Sequence, residues 1–307
     1  MKRILGFGTR NVTDNIIRPF VSNAGGIFHE KIDQVQPYLK TKYLSFNMQT
    51  REKWYKEKND IVVCGILRGT ERLMKEAEKR EINYYYFDHA YFYRADAHKT
   101  HPVLNERFYR IVVNGQQLNT MSKLNDDDYK RIAKYQKKLA IDLDIRNPDK
   151  DDRVKVAMSN DGYILICPPS AYVCNFYGIK SAAAWLKDKT QEIIKHTDRQ
   201  IIVREKTSNA DLNDQIRGAW AVVTCQSTVA IKAIMSGVPS FCDEMSSALP
   251  LSLSDISMIE NPRRPSIKEI ENYKNNLLAN QFTMTEISKG LVYDIVRRLQ
   301  GNRFYGN

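Results

Sequence analysis

Three polar clusters in the second half of the chain each follow a short apolar run, and their residue types suit a diphosphate. Ser170 closes Pro168-Pro169-Ser170 behind the run 163–167; Arg204, Glu205 and Lys206 follow 201–203; Gln226, Ser227 and Thr228 follow 221–223. Ser227 or Thr228 can cap the helix that starts there, while backbone N–H groups and the helix dipole hold a phosphate. Arg204 and Lys206, alternating on one strand end, can add charge to the same diphosphate. Each feature also has an ordinary reading: a Ser or Thr opens many helices, and two cations suit a solvated strand end. The conjunction favours a ligand, because open parallel sheets bind at the carboxyl ends of their strands. Neither G-x-G-x-x-G nor G-x-x-x-x-G-K-[ST] occurs, so the diphosphate is expected to bind without a glycine cradle.

The first half carries a different chemistry. After the run 82–87 come Asp88 and His89, then Tyr91, Arg94, Lys99, Arg107 and Arg110 among further aromatics and His98 and His101. Aromatics interleaved with cations suit stacking on bases and contact with phosphates. Tyr84, Tyr85 and Tyr86 equally suit a packed core. Asp142 and Asp144 form a D-x-D, a spacing that can hold a metal, but it falls at a helix end beside a linker, and no metal site is expected.

These residues need elements to position them. Strands at 2–8, 60–67 and 82–87 alternate with helices at 12–22 and 70–80, with short strands near residue 43, and a polar helix follows at 126–140. Such alternation indicates βαβ units and a parallel sheet. Residues 88–124 read as irregular, and the charged stretch with Asn147-Pro148 reads as a linker. The pattern then restarts: strands at 163–167, 199–206, 221–224 and 239–242, with helices at 179–196, 211–218, 227–236, 266–279 and 283–300. Two α/β domains are expected, 1–150 for an acceptor and 151–307 for a nucleotide, both Rossmann-like and facing a central cleft, with C-terminal helices packing back across the junction.

Bulk composition agrees. A chain of 307 residues exceeds the size of one ordinary core. No apolar stretch approaches the roughly 20 residues of a membrane span, and the basic start reads as a strand rather than a secretory signal. Five cysteines without a C-x-x-C pair suit a reducing cytoplasm. Residues 1–150 hold 28 Lys and Arg against 19 Asp and Glu, and residues 151–307 hold 19 against 17, so the basic excess is +9 in the first half and +2 in the second. A solvated basic face explains this, and so does a polyanionic partner on the first domain.

The segment TCQSTVAIKAIMSGVPSF after its strand resembles the donor-site element of GT-B glycosyltransferases, particularly the capsule-polysaccharide and phage-encoded groups. IIVREK, CDEMSSALPLSLSDISMIENPRRP, LLANQFTMTEISKG, YYYFDHAYFYR and RFYRIVVNG are similar to the same group, and the resemblance spans about 84–115 and 163–290. It implies a nucleotide-sugar co-substrate, UDP-linked, and no tightly bound cofactor. Ser227 and Thr228 would contact phosphate with Gln226 in the same turn, Arg204 and Lys206 the diphosphate or nucleoside, and Ser170 would lie beside them. Asp88 or His89 would take the proton of the attacking hydroxyl; adjacent strand residues point oppositely, so one of the two is expected to face the substrate. Tyr91, Arg94, Lys99, Arg107 and Arg110 would bind the acceptor. The Glu-x7-Glu pair of many retaining members is absent in clear form, and Asp243-Glu244 can orient sugar hydroxyls or form a plain loop. The acceptor expected first is a 5-hydroxymethylpyrimidine in DNA, flipped from the duplex. A capsule or lipopolysaccharide glycan is the alternative, and a non-catalytic nucleic-acid-binding protein is a third.

Overall fold

The computed structural model describes residues 4–8, 11–29, 56–66, 70–92, 106–136, 139, 141–159 and 161–306. The chain forms two compact units. The first takes Met1–Gln116, Ser122–Ala140 and Leu277–Asn307; the second takes Gln117–Met121 and Ile141–Asn276. The chain therefore changes unit ten residues before the expected division, and its C-terminal segment belongs to the first unit rather than the second. Residues near 43 lie outside those described.

In the first unit, β1 (Ile4–Phe7), α1 (Asn11–Asn23), β2 (Ile27–His29), β3 (Asp60–Cys64), α2 (Thr70–Lys79) and β4 (Tyr84–His89) give the anticipated alternation. β5 (Phe108–Val113) follows, then α3 (Asp126–Gln136). The six-stranded sheet runs β10-β5-β4-β3-β1-β2, where β10 is Gln281–Thr283 near the C-terminus. β1 to β4 are mutually parallel, and β5 is antiparallel to both β4 and β10. β5 and β10 lie in segments expected to be irregular or helical. The 283–300 helix is in fact α10 (Met284–Ser288) and α11 (Val292–Leu299), separated at Gly290, whose φ of 75° is a left-handed conformation that ends a helix. Thr283 and Glu286 form a capping box at the start of α10. The apolar face of α1 packs with Tyr85, Phe87, Ile111, Phe282 and Val296 in one buried core, which is why the C-terminal segment closes this unit. Tyr84, Tyr85 and Tyr86 are all buried.

In the second unit come α4 (Asp152–Met158), β6 (Tyr163–Cys167), α5 (Ala171–Tyr177), α6 (Ala182–Ile193), β7 (Ile201–Val203), α7 (Leu212–Arg217), β8 (Ala219–Thr224), α8 (Val229–Met235), β9 (Ser240–Cys242) and the greater part of α9 (Ile267–Ala279). The anticipated linker, which ends at Lys155, thus runs into the first turn of α4, and the anticipated helix at 179–196 is preceded by α5. The four strands are parallel in the order β7-β6-β8-β9. Leu165, Val222, Ala233 and Val238 fill one core, and Ile164, Ile166, Trp185 and Val223 another, so the central strands are buried on both faces as a parallel sheet requires. Asp144 accepts from Arg217 at 2.7 Å, which gives the carboxylate of the D-x-D a structural partner.

Candidate functional site

The strand order of the second unit fixes where a ligand crevice belongs. From β6 the chain crosses to β7 on one side, then returns to β8 on the other, so the crossovers diverge between β6 and β8. Beyond the carboxyl ends of such a pair of strands a parallel sheet leaves a crevice. The segments that follow those two ends are 168–170, with Ser170, and 225–228, with Gln226, Ser227 and Thr228.

The helix caps differ at the two sides. Ser170 accepts from the Val173 amide at 3.4 Å and is the N-cap of α5. At α8 the N-cap position is Thr228, whose side chain makes no capping bond, while Ser227 Oγ accepts from the Val229 amide at 3.3 Å. Capping is therefore done by Ser227, and the Thr228 hydroxyl and the Ser227 and Thr228 amides bond to no other described residue. Both residues are partly exposed. Two amides and a hydroxyl without partners among the described residues thus stand on one turn, and donors of this kind suit an anion. Gln226 is buried, and so is Thr224, whose hydroxyl has no partner among the described residues.

The cations expected beside this turn divide. Arg204 is partly buried and donates to the Ala210 carbonyl at 2.9 Å and to Gln215 Oε1. Burial pushes the Cys167 thiol up to about 11, and the Arg204 guanidinium opposes that shift, so its charge acts at the end of β6. Lys206 is exposed beyond β7. At the end of β9, Asp243 accepts from Trp185 Nε1 at 3.1 Å and lies 4.0 Å from Lys189 Nζ. Burial and then Asp243 drive the pKa of Cys225 upward, so this thiol is protonated and a poor nucleophile.

The first unit presents a paired carboxylate. Asp88 stands opposite Arg110 in the β4–β5 register, and its Oδ2 accepts from Arg110 Nη2 at 2.7 Å and from the Tyr86 hydroxyl at 2.9 Å. Its Oδ1 accepts the His89 amide at 2.8 Å. Burial alone would raise the Asp88 pKa, but Arg110, the His89 amide and the Tyr86 hydroxyl outweigh it and hold the carboxyl below its usual value. Burial and the Asp88 charge push the Tyr86 phenol up, which keeps it a donor. A carboxylate so engaged is a weak base.

Arg110, with a side chain only 7% exposed, also donates to the His89 carbonyl at 2.6 Å and lies 5.4 Å from the Tyr91 ring centre. Tyr91 is itself buried. These two residues thus face inward, whereas the sequence reading expected both to bind an acceptor. Arg107 is exposed at the start of β5, and His89 is partly buried at the end of β4. Arg94, Lys99, His98 and His101 lie outside the described residues.

In this sheet the crossovers diverge between β1 and β3, one strand away from Asp88. Asp14, in the first turn of α1 and 7% exposed, lies there: a Cβ placed on Gly8 would sit 1.9 Å from its Oδ1. The sequence signal for this carboxylate was the glycine that ends the first strand, and only the close approach makes it informative.

No protein-family model matches the sequence, and no curated protein matches it. Among solved structures, the beta Kdo 2,7 transferase of Thermosulfurimonas dismutans KpsC is similar at 12% identity, with a TM-score of 0.43 over 95% of this chain and 99% of that one. The beta Kdo 2,4 transferase of the same KpsC is similar at 11% identity and a TM-score of 0.38 over 90% of each chain. HepE of Anabaena in complex with UDP-glucose is similar at 10% identity and a TM-score of 0.25 over 98% of this chain and 99% of that one. All three scores fall below 0.5, so the functional reading rests on the sites themselves.

Proposed function

We propose that the protein is a glycosyltransferase that draws a sugar from a nucleotide-sugar donor held on its second unit. The observation that carries this reading is the turn after β8, where the Ser227 and Thr228 amides and the Thr228 hydroxyl stand without a protein partner among the described residues at the switch point of a parallel sheet. A diphosphate satisfies these donors, and Arg204 and Lys206 beyond β7, on the far side of β6, are assigned to supply charge. The turn's resemblance to the GT-B donor element names the reaction class. The hydroxyl of the acceptor attacks the anomeric carbon, and the nucleotide leaves with the bond's electron pair.

The acceptor is assigned to the first unit on charge. That unit holds 30 Lys and Arg against 18 Asp and Glu, a net of +12, while the second holds 17 against 18, a net of −1. A polyanionic acceptor suits this asymmetry, and DNA carrying 5-hydroxymethylpyrimidine supplies both the anion and the hydroxyl. Asp88 is held by Arg110, and His89, at the end of the same strand, is the group assigned to receive the hydroxyl proton.

Calorimetry with UDP and CDP, followed by nucleoside mass spectrometry, tests the reading. Replacing Ser227 by Ala and Thr228 by Val together should weaken nucleotide binding about ten- to hundredfold. DNA affinity should stay unchanged. With a mixture of nucleotide sugars and hydroxymethylated DNA, a sugar increment on the modified nucleoside alone is expected. Donor hydrolysis without that increment would move the acceptor to a glycan. Absence of nucleotide binding in the wild-type protein would overturn the enzyme reading.

A further inference from the structure

A sheet presents unpaired backbone groups at its two edges, and proteins ordinarily cover or blunt them. In the second unit the β9 edge is covered. Leu253 lies parallel to Phe241 there, donating to the Ser240 carbonyl at 3.2 Å and accepting the Cys242 amide at 2.9 Å. The opposite edge is β7. Along it the Ile164 amide donates to the Gln200 carbonyl at 2.8 Å, and the Arg204 amide donates to the Ile166 carbonyl at 2.9 Å. Backbone groups alternate sides along a strand, so Gln200, Ile202 and Arg204 face β6, whereas Ile201 and Val203 turn their amides and carbonyls outward. No described residue bonds to those outward groups.

Both faces of β7 are already packed. Ile201 lies against the core that holds Trp185 and Ile193 of α6, and Ile202 against the core that holds Ile216 of α7. The in-plane direction is the one left. Val203 is 43% exposed, and residues 201–203 include no proline, bulge or charge of the kind that blunts an edge.

Such a strand can pair with a second copy of itself about a two-fold axis, which makes the pair antiparallel. The neighbouring residues select the register. Centring it on Ile201 would oppose Val203 to the partner's Arg199, but the Arg199 amide already donates to Thr197 Oγ1 at 3.1 Å. Centring it on Val203 would oppose Ile201 to the partner's Glu205, but the Glu205 carbonyl already accepts the Ser208 amide at 3.1 Å. Centring it on Ile202 opposes Ile201 to the partner's Val203, and every outward group of β7 is then satisfied. The same register sets Asp198 against the partner's Lys206, Arg199 against the partner's Glu205 and Gln200 against the partner's Arg204. Asp198, Glu205 and Lys206 are exposed, and Arg199 is held by Glu260 at 2.8 Å. Unlike charges therefore face each other at both ends of the pair and like charges at neither, the arrangement that stabilises cross-strand neighbours.

We propose that β7 is a homodimerisation edge, on which a second copy of this chain pairs antiparallel about Ile202 and joins the two sheets into one. The interface is short, so the dimer should depend on concentration, with a Kd on the order of 10 µM. It does not depend on the donor-site reading; in the dimer Lys206 serves the partner's Asp198, and the diphosphate charge rests with Arg204.

The test is analytical ultracentrifugation of the full chain at concentrations spanning that Kd. Wild type is expected to pass from monomer to dimer. Val203→Pro removes an outward amide that β6 does not use, so it should keep the fold and lose the dimer. Asp198→Lys should weaken association about tenfold, and adding Lys206→Asp to it should restore association. A wild type that stays monomeric throughout would overturn the proposal, as would a dimer that persists in Val203→Pro or an association unchanged in Asp198→Lys. A loss that the double exchange fails to restore would overturn the Ile202 register and the pairing with it. Should Val203→Pro fail to fold, the charge exchange decides alone.

Discussion

At the scale of single residues, Asp88 shows how a neighbour reassigns a side chain. Its place at the end of a strand was legible, and so was its carboxylate chemistry. From sequence Arg110 falls to acceptor binding, because nothing local reveals that β5 returns antiparallel and sets it directly opposite Asp88. The pair is an inward strut, with Arg110 7% and Asp88 27% exposed. Removing one partner of such a pair leaves the other charge uncompensated, so Asp88→Asn should destabilise the fold at pH 7 by about 3 kcal/mol. The sign of the pH dependence follows from the lowered pKa of Asp88. Its stabilisation is present above the unfolded carboxyl value of about 3.9 and is lost as pH falls through the lower folded value. Urea unfolding at successively lower pH should show the gap between variant and wild type narrowing only below about pH 4. A gap that stays constant into that range would assign the loss to packing instead.

At the scale of elements, what could be read was what local chemistry announces. β6 occupies the expected residues, and α8 and β9 lie inside the expected spans, because uninterrupted apolar runs and the Ser236-Gly237-Val238-Pro239 break are local signals. β5 is a run of aromatic and β-branched residues ending at Asn114-Gly115, a local strand signal inside a segment read as irregular, whereas β10 is three residues long and is defined by its pairing with β5. α5 is only seven residues long, too short for periodicity to declare it, although Ser170 and Gly178 cap it at either end. The candidate site divides in the same way. The turn at 225–228 stood in the sequence as hydroxyls at a helix start, whereas the division of labour between Ser227 and Thr228 came only with the helix boundary. Gly237 offers a direct check on that boundary, because it takes a φ of 70° immediately beyond α8. An added methyl would meet nothing closer than Ile145 Cγ2 at 3.5 Å, so Gly237→Ala isolates the cost of a left-handed conformation. The expected loss is about 1 kcal/mol in thermal or urea unfolding, with nucleotide affinity retained. A loss several times larger would mean that the methyl disturbs the strap at 144–146, which bonds to Met235 and Ser236.

At the scale of the whole molecule, charge separates the two units more sharply than it separates the two halves of the sequence. The halves differ as +9 and +2, the units as +12 and −1, because the C-terminal segment brings Lys289, Arg297, Arg298 and Arg303 with Glu286 and Asp294 to the first unit, a net of +2, and residues 141–150, a net of −1, leave it. Neutralising phosphates releases counterions, so an affinity for DNA that comes from this unit must fall steeply with salt, and each cation removed from the interface must flatten the slope by about one. Arg72 and Lys79 on α2 are exposed cations of the first unit, and Lys187 and Lys195 are exposed cations of the second. Reversing the first pair, as Arg72→Glu with Lys79→Glu, should weaken DNA binding at low salt and flatten its salt dependence. Reversing the second pair, as Lys187→Glu with Lys195→Glu, should leave both unchanged although the net charge falls equally. Salt-dependent fluorescence anisotropy with a short labelled duplex reads both effects. Equal losses from the two reversals would reduce the basic excess to a bulk property, and a polyanionic acceptor would then lose the physical support that the asymmetry gives it.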